Sequence, residues 1–494
     1  MIILETLKKH AIGAIFLLFV SNVFYDLYLH PLARFPGPIW ARITRLWWLR
    51  VVLSGKQHLK NYELHERYGP VVRITPNILS FSDHRAIKVI YGRGAGEFAK
   101  GDGFGNGFLP GGDPPVFFAK DPVVHSRVRK RIAHAYSMTS VAQMEPSVSA
   151  LIEEFSRNID RFAERGEEFD LVEWVNHLTF DLISELGYGK KFGFMEKGGD
   201  VNGYQESMHH NSPMFPILAA FPTLAALLGV VIKYLPPPES ATGIGHLFGV
   251  TKRIIADRRA STSSSTNKKD LLGGFLASKT EDGSPISESS VFGEVMGTLI
   301  AGADTTAASI QGASLYLLQN PPALQRLVDE LDQTNPVSYA DTLPLEYFNA
   351  VLKETLRLSP SIGATFGRKV PVGGAEILPG IWVPGGFEVG INNWVVGRDK
   401  TLYGDDAMEF RPERWLEKGN RTRFAEFEFG FGSGNRVCIG KNVAMMEICK
   451  TIPELFEKFE LELMDPEDPW VEESRLFLYK SGLRVRARRR VLKV

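Results

Sequence analysis

The sequence predicts a mainly α protein with a minor β region, organised around one loop that carries a cysteine. Three observations predict it. The stretch between Pro285 and Pro321 holds no proline and reads as one long helix. Leu151, Ile152, Phe155, Ile159 and Phe162 fall at helical spacing within 148–192, and a second apolar helix is predicted over Leu171 to Leu186. The glycine-rich run Phe431 to Gly440 leads from Cys438 into a Pro-free apolar segment, Lys441 to Ile452, that also reads as a helix.

A length of 494 residues gives a prior of about three domains, which one large fold can absorb. Lys+Arg and Asp+Glu both number 57, so zero net charge gives no support to nucleic-acid binding. Two cysteines, Cys438 and Cys449, cannot form a disulfide framework, and the body fits a reducing compartment.

Ala11 to Val20 is a continuous apolar run, resumed by Val23 to Leu29. Nineteen helical residues span about 28 Å, barely a bilayer core. A secretory signal, a membrane anchor and a core helix compete. No small-x-small cleavage site follows, which weakens the signal. The prolines of His30-Pro-Leu-Ala-Arg-Phe-Pro36-Gly-Pro38 stop the helix and stiffen its exit. We therefore read 1–29 as a single-pass anchor and 30–38 as a proline-rich hinge. The heavier positive side (Arg34, Arg42, Arg45, Arg50) lies after the span, which places the body, 39–494, in the cytoplasm.

Residues 59–68 read as a short helix ending at Gly69, and Val71 to Ile74 and Ile78 to Phe81 as strands. Residues 101–115 hold too many Gly and Pro for a regular element. Their aromatics, Phe104 and Phe108, with Phe117 and Phe118, want something to cover. His125 to Arg131 begins a basic helix continuing to about Tyr136, with His125 and Arg129 on one face. Arg127, Lys130 and Arg131 form either a solvated face or a docking patch for an acidic redox partner. Residues 213–237 are unusually apolar but broken by Pro216 and Pro222, and read as a surface segment dipping into a membrane. Residues 261–269 read as a linker.

Ser287 is a plausible N-cap for a helix over Val291 to Gln319, about 43 Å long. Ala301-Gly302-Ala303-Asp304-Thr305-Thr306 sits at its centre. Gly, Asp and Thr are poor mid-helix residues, so the cluster marks a site or a kink. Glu354 and Arg357 share a face of a helix predicted over Leu345 to Leu358, and Phe410-Arg-Pro-Glu-Arg414-Trp415 follows. Strands are expected at Ile377 to Val383, Phe387 to Ile391 and Phe459 to Met464, with a hairpin of Phe477 to Tyr479 and Leu483 to Val485 about Lys480-Ser-Gly482. The basic end, Arg484 to Arg490, reads as a solvated strand and tail. Gly432, Gly434 and Gly440 permit a tight loop, and Cys438 just before a helix N-terminus favours a thiolate. A thiolate under a macrocycle is one of the few ways proteins hold haem iron.

Phe431, Gly434, Arg436, Cys438 and Gly440 stand at the spacing of the cysteine signature of the cytochrome P450 family, which this chain resembles from about Phe35 to Arg490. The resemblance implies one large domain of the P450 fold and heme b on Cys438. His125, Arg129, Arg368 and Arg436 would reach the haem propionates. Ala301, Gly302, Phe431 and Gly440 would border the cofactor. Asp304 and Thr305 would relay protons to iron-bound dioxygen, with small Ala301 and Gly302 leaving room for it. Glu354, Arg357 and Arg414 would form a structural triad, and Phe104, Phe108, Ile362, Thr365 and Phe366 would meet the substrate. No flavin domain is evident, so electrons would come from a separate NADPH-cytochrome P450 reductase. The chain is similar to endoplasmic-reticulum members from filamentous fungi that tailor secondary metabolites. It would therefore hydroxylate or otherwise oxidise a lipophilic molecule. Desaturation, ring coupling, oxygen-independent rearrangement, or haem binding without turnover are the alternatives.

Overall fold

A single helix, Glu288–Gln319, crosses the interior. Ser287 caps it, its side chain accepting a hydrogen bond from the Ser290 N–H at 3.2 Å. The helix runs unbroken through Ala301–Thr306 and is buried along most of its length. Its widest packing is against Leu171–Tyr188, and it also packs on Lys441–Lys458 and Glu346–Leu358. Gly302 belongs to the first of these contacts. A Cβ there would lie 2.7 Å from Ile183 Cδ1, so the missing side chain lets two helices close.

The computed structural model describes the chain except residues 1, 94–97, 103–112, 222, 224–226, 229–241, 261–268 and 492–494, and gives the backbone alone for 2–9, 215 and 219. Phe104, Phe108 and most of the expected linker and of 222–237 fall outside the described residues.

The β region is a five-stranded sheet in the order Val71–Thr75, Ile78–Phe81, Glu388–Ile391, Arg368–Lys369, Ala99–Lys100. Ile78–Phe81 and Glu388–Ile391 run parallel and the other pairs antiparallel. This sheet brings Lys100 and Arg368 side by side from positions far apart in the chain. Helix Gln57–Tyr68 precedes it and ends, as expected, at Gly69.

Two strand expectations are corrected. Ile377 to Val383 is a hairpin of Ala375–Leu378 and Ile381–Val383, because Gly380 turns the chain at φ 76°. Leu478–Ser481 and Arg484–Arg489 do not pair with each other. The first pairs with Val471–Ser474, and the second lies between Glu168–Asp170 and Phe459–Leu463. Gly482, at φ 88°, redirects the chain from one sheet to the other. Val485 and Ala487 are buried while Arg484, Arg488 and Arg489 point out, the alternation of a half-covered strand.

At the N-terminus, His10–Leu29 is long and apolar enough to cross a membrane, with mean hydropathy 1.8 and only 6% of it buried. Its exit is stitched to the body. Arg42 donates to the carbonyls of Leu27 and Ala33, and Arg73 to that of Asp26. The proline segment lies against the first strand, where Arg73 N–H donates to Pro36 O at 2.8 Å. Leu32 and Phe35 are buried in the core. Helix Met214–Ala220 packs on Arg45–Leu53, leaving Met214, Ile217, Leu46 and Trp40 exposed.

Candidate active site

The cysteine loop is held shape-first. Cys438 N–H donates to Phe431 O at 2.8 Å, closing the turn. Gly434 has φ 64°, and a Cβ on it would lie 2.1 Å from the Tyr91 carbonyl oxygen. Only glycine fits there. Arg436 spans outward, its Nη1 and Nη2 donating to Ala119 O and Lys120 O, both at 2.7 Å. Asn442 Nδ2 donates to Tyr136 O at 2.9 Å.

Behind this loop stands a buried charge network. Glu354 accepts from Arg357 Nη2 (2.7 Å), Arg414 Nε (2.8 Å), Trp415 Nε1 (2.9 Å) and the Arg411 N–H (2.9 Å). These interactions outweigh burial and hold its carboxyl below the usual range. Arg357 also donates to the carbonyls of Gly397, Ala407 and Glu409, and Arg414 to those of Tyr403, Asp406 and Glu409. The triad thus fixes the path of 397–415, the segment leading to the cysteine loop.

Cys438 faces a cavity of about 1670 Å³ of atom-free space, open mouth included. Ala301, Gly302 and Thr305 line one side, and Phe431, Cys438 and Gly440 the other. Ile362 and Phe366 also line it, whereas Thr365 lies outside, in a neighbouring pocket, accepting from Asn61 Nδ2 at 3.0 Å. Phe117 and Phe366 wall both pockets.

One rim carries five potential cations: His125, Arg129, Arg368 and Arg436, and also Lys100, which sequence reasoning missed. Only its place on the sheet edge beside Arg368 brings it here. Burial lowers the Lys100 pKa well below its ordinary value, and Arg368 and Arg436 lower it further. Burial and then Arg436, Lys100, Arg129 and Arg368 push His125 down to about 3, so it stands neutral. The two acids that line the cavity do not balance this charge. Burial pushes Glu294 and Glu447 each up to about 8, which keeps both protonated near neutral pH. The rim therefore fits a ligand with more than one negative charge.

Cys438 lies just before helix Lys441–Lys458, as expected. Burial pushes the Cys438 thiol up, outweighing the opposing pull of the Gly440 and Lys441 N–H groups, Arg129 and Lys441. A coordinated metal ion would deprotonate it. Among the described residues no cluster of His, Cys, Asp or Glu could hold a metal alone, so a metal on Cys438 needs a prosthetic group around it. A flat, dianionic macrocycle bearing iron matches the lone sulfur, the cationic rim and the cavity.

A model of the cytochrome P450 family matches residues 34–485. The chain is a cytochrome P450. It is 34% identical to cytochrome P450 monooxygenase gsfF of Penicillium aethiopicum, covering 96% of each chain. It is 33% identical to a pisatin demethylase of Fusarium vanettenii, over 94% of this chain and 92% of that one. It is 32% identical to cytochrome P450 monooxygenase cicH of Emericella nidulans, over 96% and 97%. It is thus an oxidoreductase of the monooxygenase type.

Two expected residues of this P450 sit differently from the sequence reading. Asp304 does not line the cavity, although its neighbour Thr305 does. Asp304 is buried toward His209 and Tyr479. Arg127 and Arg131 are not a free docking face: both pair with Asp113, at 2.7 and 2.5 Å, leaving Lys130 exposed beside them.

Proposed function

We propose that this P450 is a membrane-anchored haem-thiolate monooxygenase that oxidises a lipophilic small molecule of secondary metabolism. Its electrons come from an NADPH-dependent reductase. One observation carries the reading: a lone cysteine sulfur facing a cavity whose rim gathers Lys100, Arg129, Arg368 and Arg436. Cys438 holds the haem iron, and Arg129, Arg368, Arg436, Lys100 and neutral His125 hold the propionates. Bound haem supplies the reductive activation of dioxygen.

The protein's own groups do the rest. Thr305 presents its hydroxyl at the cavity wall while donating to Ala301 O at 2.7 Å, so it offers its lone pairs inward. Asp304 stands one residue away as the proton source. Ile362, Phe366, Phe117 and Phe477 give an apolar surface that orients the substrate and excludes water. The apolar neighbouring pocket and the exposed face of 214–221 and 40–53 suit a substrate arriving from a lipid phase.

The test is the carbon monoxide difference spectrum of the reduced protein. A red-shifted Soret band, lost in Cys438→Ala, is expected. A band of histidine-ligated type in the wild type refutes the assignment. Labelled dioxygen then separates hydroxylation, which carries label into product, from desaturation, which does not. Thr305→Ala is expected to release more hydrogen peroxide per NADPH consumed; tightly coupled turnover by that variant would exclude the relay.

A further inference from the structure

The buried face of Asp304 is occupied by groups with no role in the reading so far. Asp304 is 4% exposed at its side chain, and its Oδ2 has no hydrogen-bond partner among the described residues. His209 Nε2 lies 3.5 Å from Oδ1. That nitrogen is itself buried and without a hydrogen bond, yet the His209 side chain is 34% exposed. The ring therefore has one nitrogen sealed against a carboxylate and another edge in water. Tyr479 packs on it with ring centroids 4.3 Å apart. Burial, and next the Asp304 charge, pushes the Tyr479 phenol well up, so it stays neutral. Arg475, which pairs with Glu473 at 3.1 Å, and the Ser212 hydroxyl act on Tyr479 in the opposite direction. Lys480 Nζ, donating to Ala308 O at 3.1 Å, pins the same hairpin to the central helix.

We propose that His209 is the outer residue of the proton path, passing protons from surface water to Asp304, with Tyr479 as the positioning residue that holds its ring. This rests on the reading of Asp304 and Thr305 as the relay. In each transfer Nδ1 takes a proton from water and the Nε2–H proton moves to Asp304 Oδ1. The ring then regains its Nε2–H form by losing the Nδ1 proton to water and taking one from water at Nε2 when it swings out toward solvent. No electrons move, and one proton is carried inward. Imidazole is the side chain whose ordinary pKa suits such exchange near neutral pH. Because His209 sits on helix Tyr204–Asn211 and Asp304 on the central helix, movement of the first helix would open or close the path.

The experiment uses the full-length, haem-loaded protein as wild type, His209→Gln and Asp304→Asn, each first checked by its carbon monoxide spectrum. Reduced protein is mixed with dioxygen and with reduced NADPH-cytochrome P450 reductase, which supplies the second electron, and the return of the ferric Soret band is timed in H2O and D2O between about pH 6 and pH 8. His209→Gln is expected to slow the return about tenfold, flatten its pH profile and change its solvent isotope effect, part of the ~10²–10⁴ that general acid–base groups contribute. A slow Asp304→Asn beside a wild-type-like His209→Gln overturns the role of His209 and leaves the relay standing. Wild-type behaviour in both removes the relay and this inference with it.

A second readout needs no turnover. Labelling of His209 by diethyl pyrocarbonate at a fixed pH, followed by mass spectrometry, reports how openly its ring meets water. Tyr479→Leu removes the ring packed on it at 4.3 Å and is expected to raise the labelling rate severalfold. No labelling in the wild type overturns the role of His209 as the outer residue, and an unchanged rate in Tyr479→Leu overturns that of Tyr479, even if His209→Gln does not fold.

Discussion

Replacing Arg414 by methionine tests the claim that the cysteine loop is held by a buried charge network. Arg414 is 0% exposed. It gives Nε to Glu354 at 2.8 Å and Nη1 to Asp406 Oδ1 at 3.0 Å, besides three carbonyls within 397–415. Methionine fills much of the volume but donates nothing. Glu354 would then keep Arg357 as its one paired cation, beside the neutral donors Trp415 Nε1 and Arg411 N–H, and the carbonyls of Tyr403 and Asp406 would lose a donor. Removing one partner of a buried pair costs about 3–5 kcal/mol. Against a total of ~5–15 kcal/mol for a typical domain, that is a large share. The assay is urea unfolding by far-UV circular dichroism together with haem content after purification. Arg414→Met is expected to unfold at a much lower urea concentration and to retain little haem. A midpoint and haem content equal to wild type would refute the argument. The network also has a pH signature. The Glu354 pKa is depressed by folding, so its stabilisation is present above the unfolded value of ~4.3 and is lost as pH falls through the folded value. The acid limb of the wild-type stability profile is therefore expected to be steeper than that of Glu354→Gln.

Gly434→Ala is expected to cost at least about 1–3 kcal/mol from its left-handed backbone alone, with more from the approach to Tyr91 O, and to lower haem retention; thermal unfolding and haem content check this. Glu447, whose pKa is raised by folding to about 8, contributes stability that is full below ~4.3 and lost as pH rises through about 8. Glu447→Gln is therefore expected to flatten the decline in urea midpoint over that window and to match or exceed wild type at its upper end. Lys100→Met is expected to weaken haem retention, read by transfer of haem to apomyoglobin; unchanged transfer would take Lys100 off the rim. Deleting residues 1–29 is expected to release the protein from membranes in a flotation assay only partly, because the exposed apolar face of 40–53 and 214–221 remains.

What could be read from the sequence was what lies close together in it. The cysteine loop is ten consecutive residues, and its glycines, arginine and cysteine reported their own roles. Glu354 and Arg357 are three apart on one helix. Ser287, Gly69 and the alternation of Arg484–Arg489 follow from local backbone rules. The rest depended on where the fold brings distant segments. Lys100 is an ordinary lysine until the sheet sets it beside Arg368. Asp304 and Thr305 are neighbours in sequence, and for that reason point about a quarter-turn apart on the helix, one into the cavity and one toward His209. Gly302 lines the cavity and also lets Ile183 close against the central helix, a contact its sequence position could not show. Gly482 looked like the tip of a hairpin because a turn residue shows that the chain bends, not which strands then pair.

The arrangement of the cavity wall also sets an order on biosynthesis. Its rim groups enter the chain at Lys100, His125, Arg129 and Arg368, but the cavity's sulfur comes only at Cys438 and a closing phenylalanine at Phe477. A growing chain must therefore carry an unfinished, positively charged chamber through much of its synthesis, with Tyr91 waiting for the loop of Gly434. Domains form as synthesis proceeds from the N-terminus. In this chain the cavity wall stays incomplete until Cys438 and Phe477 have been made, so the charged rim is in place before the residues that close the space around it.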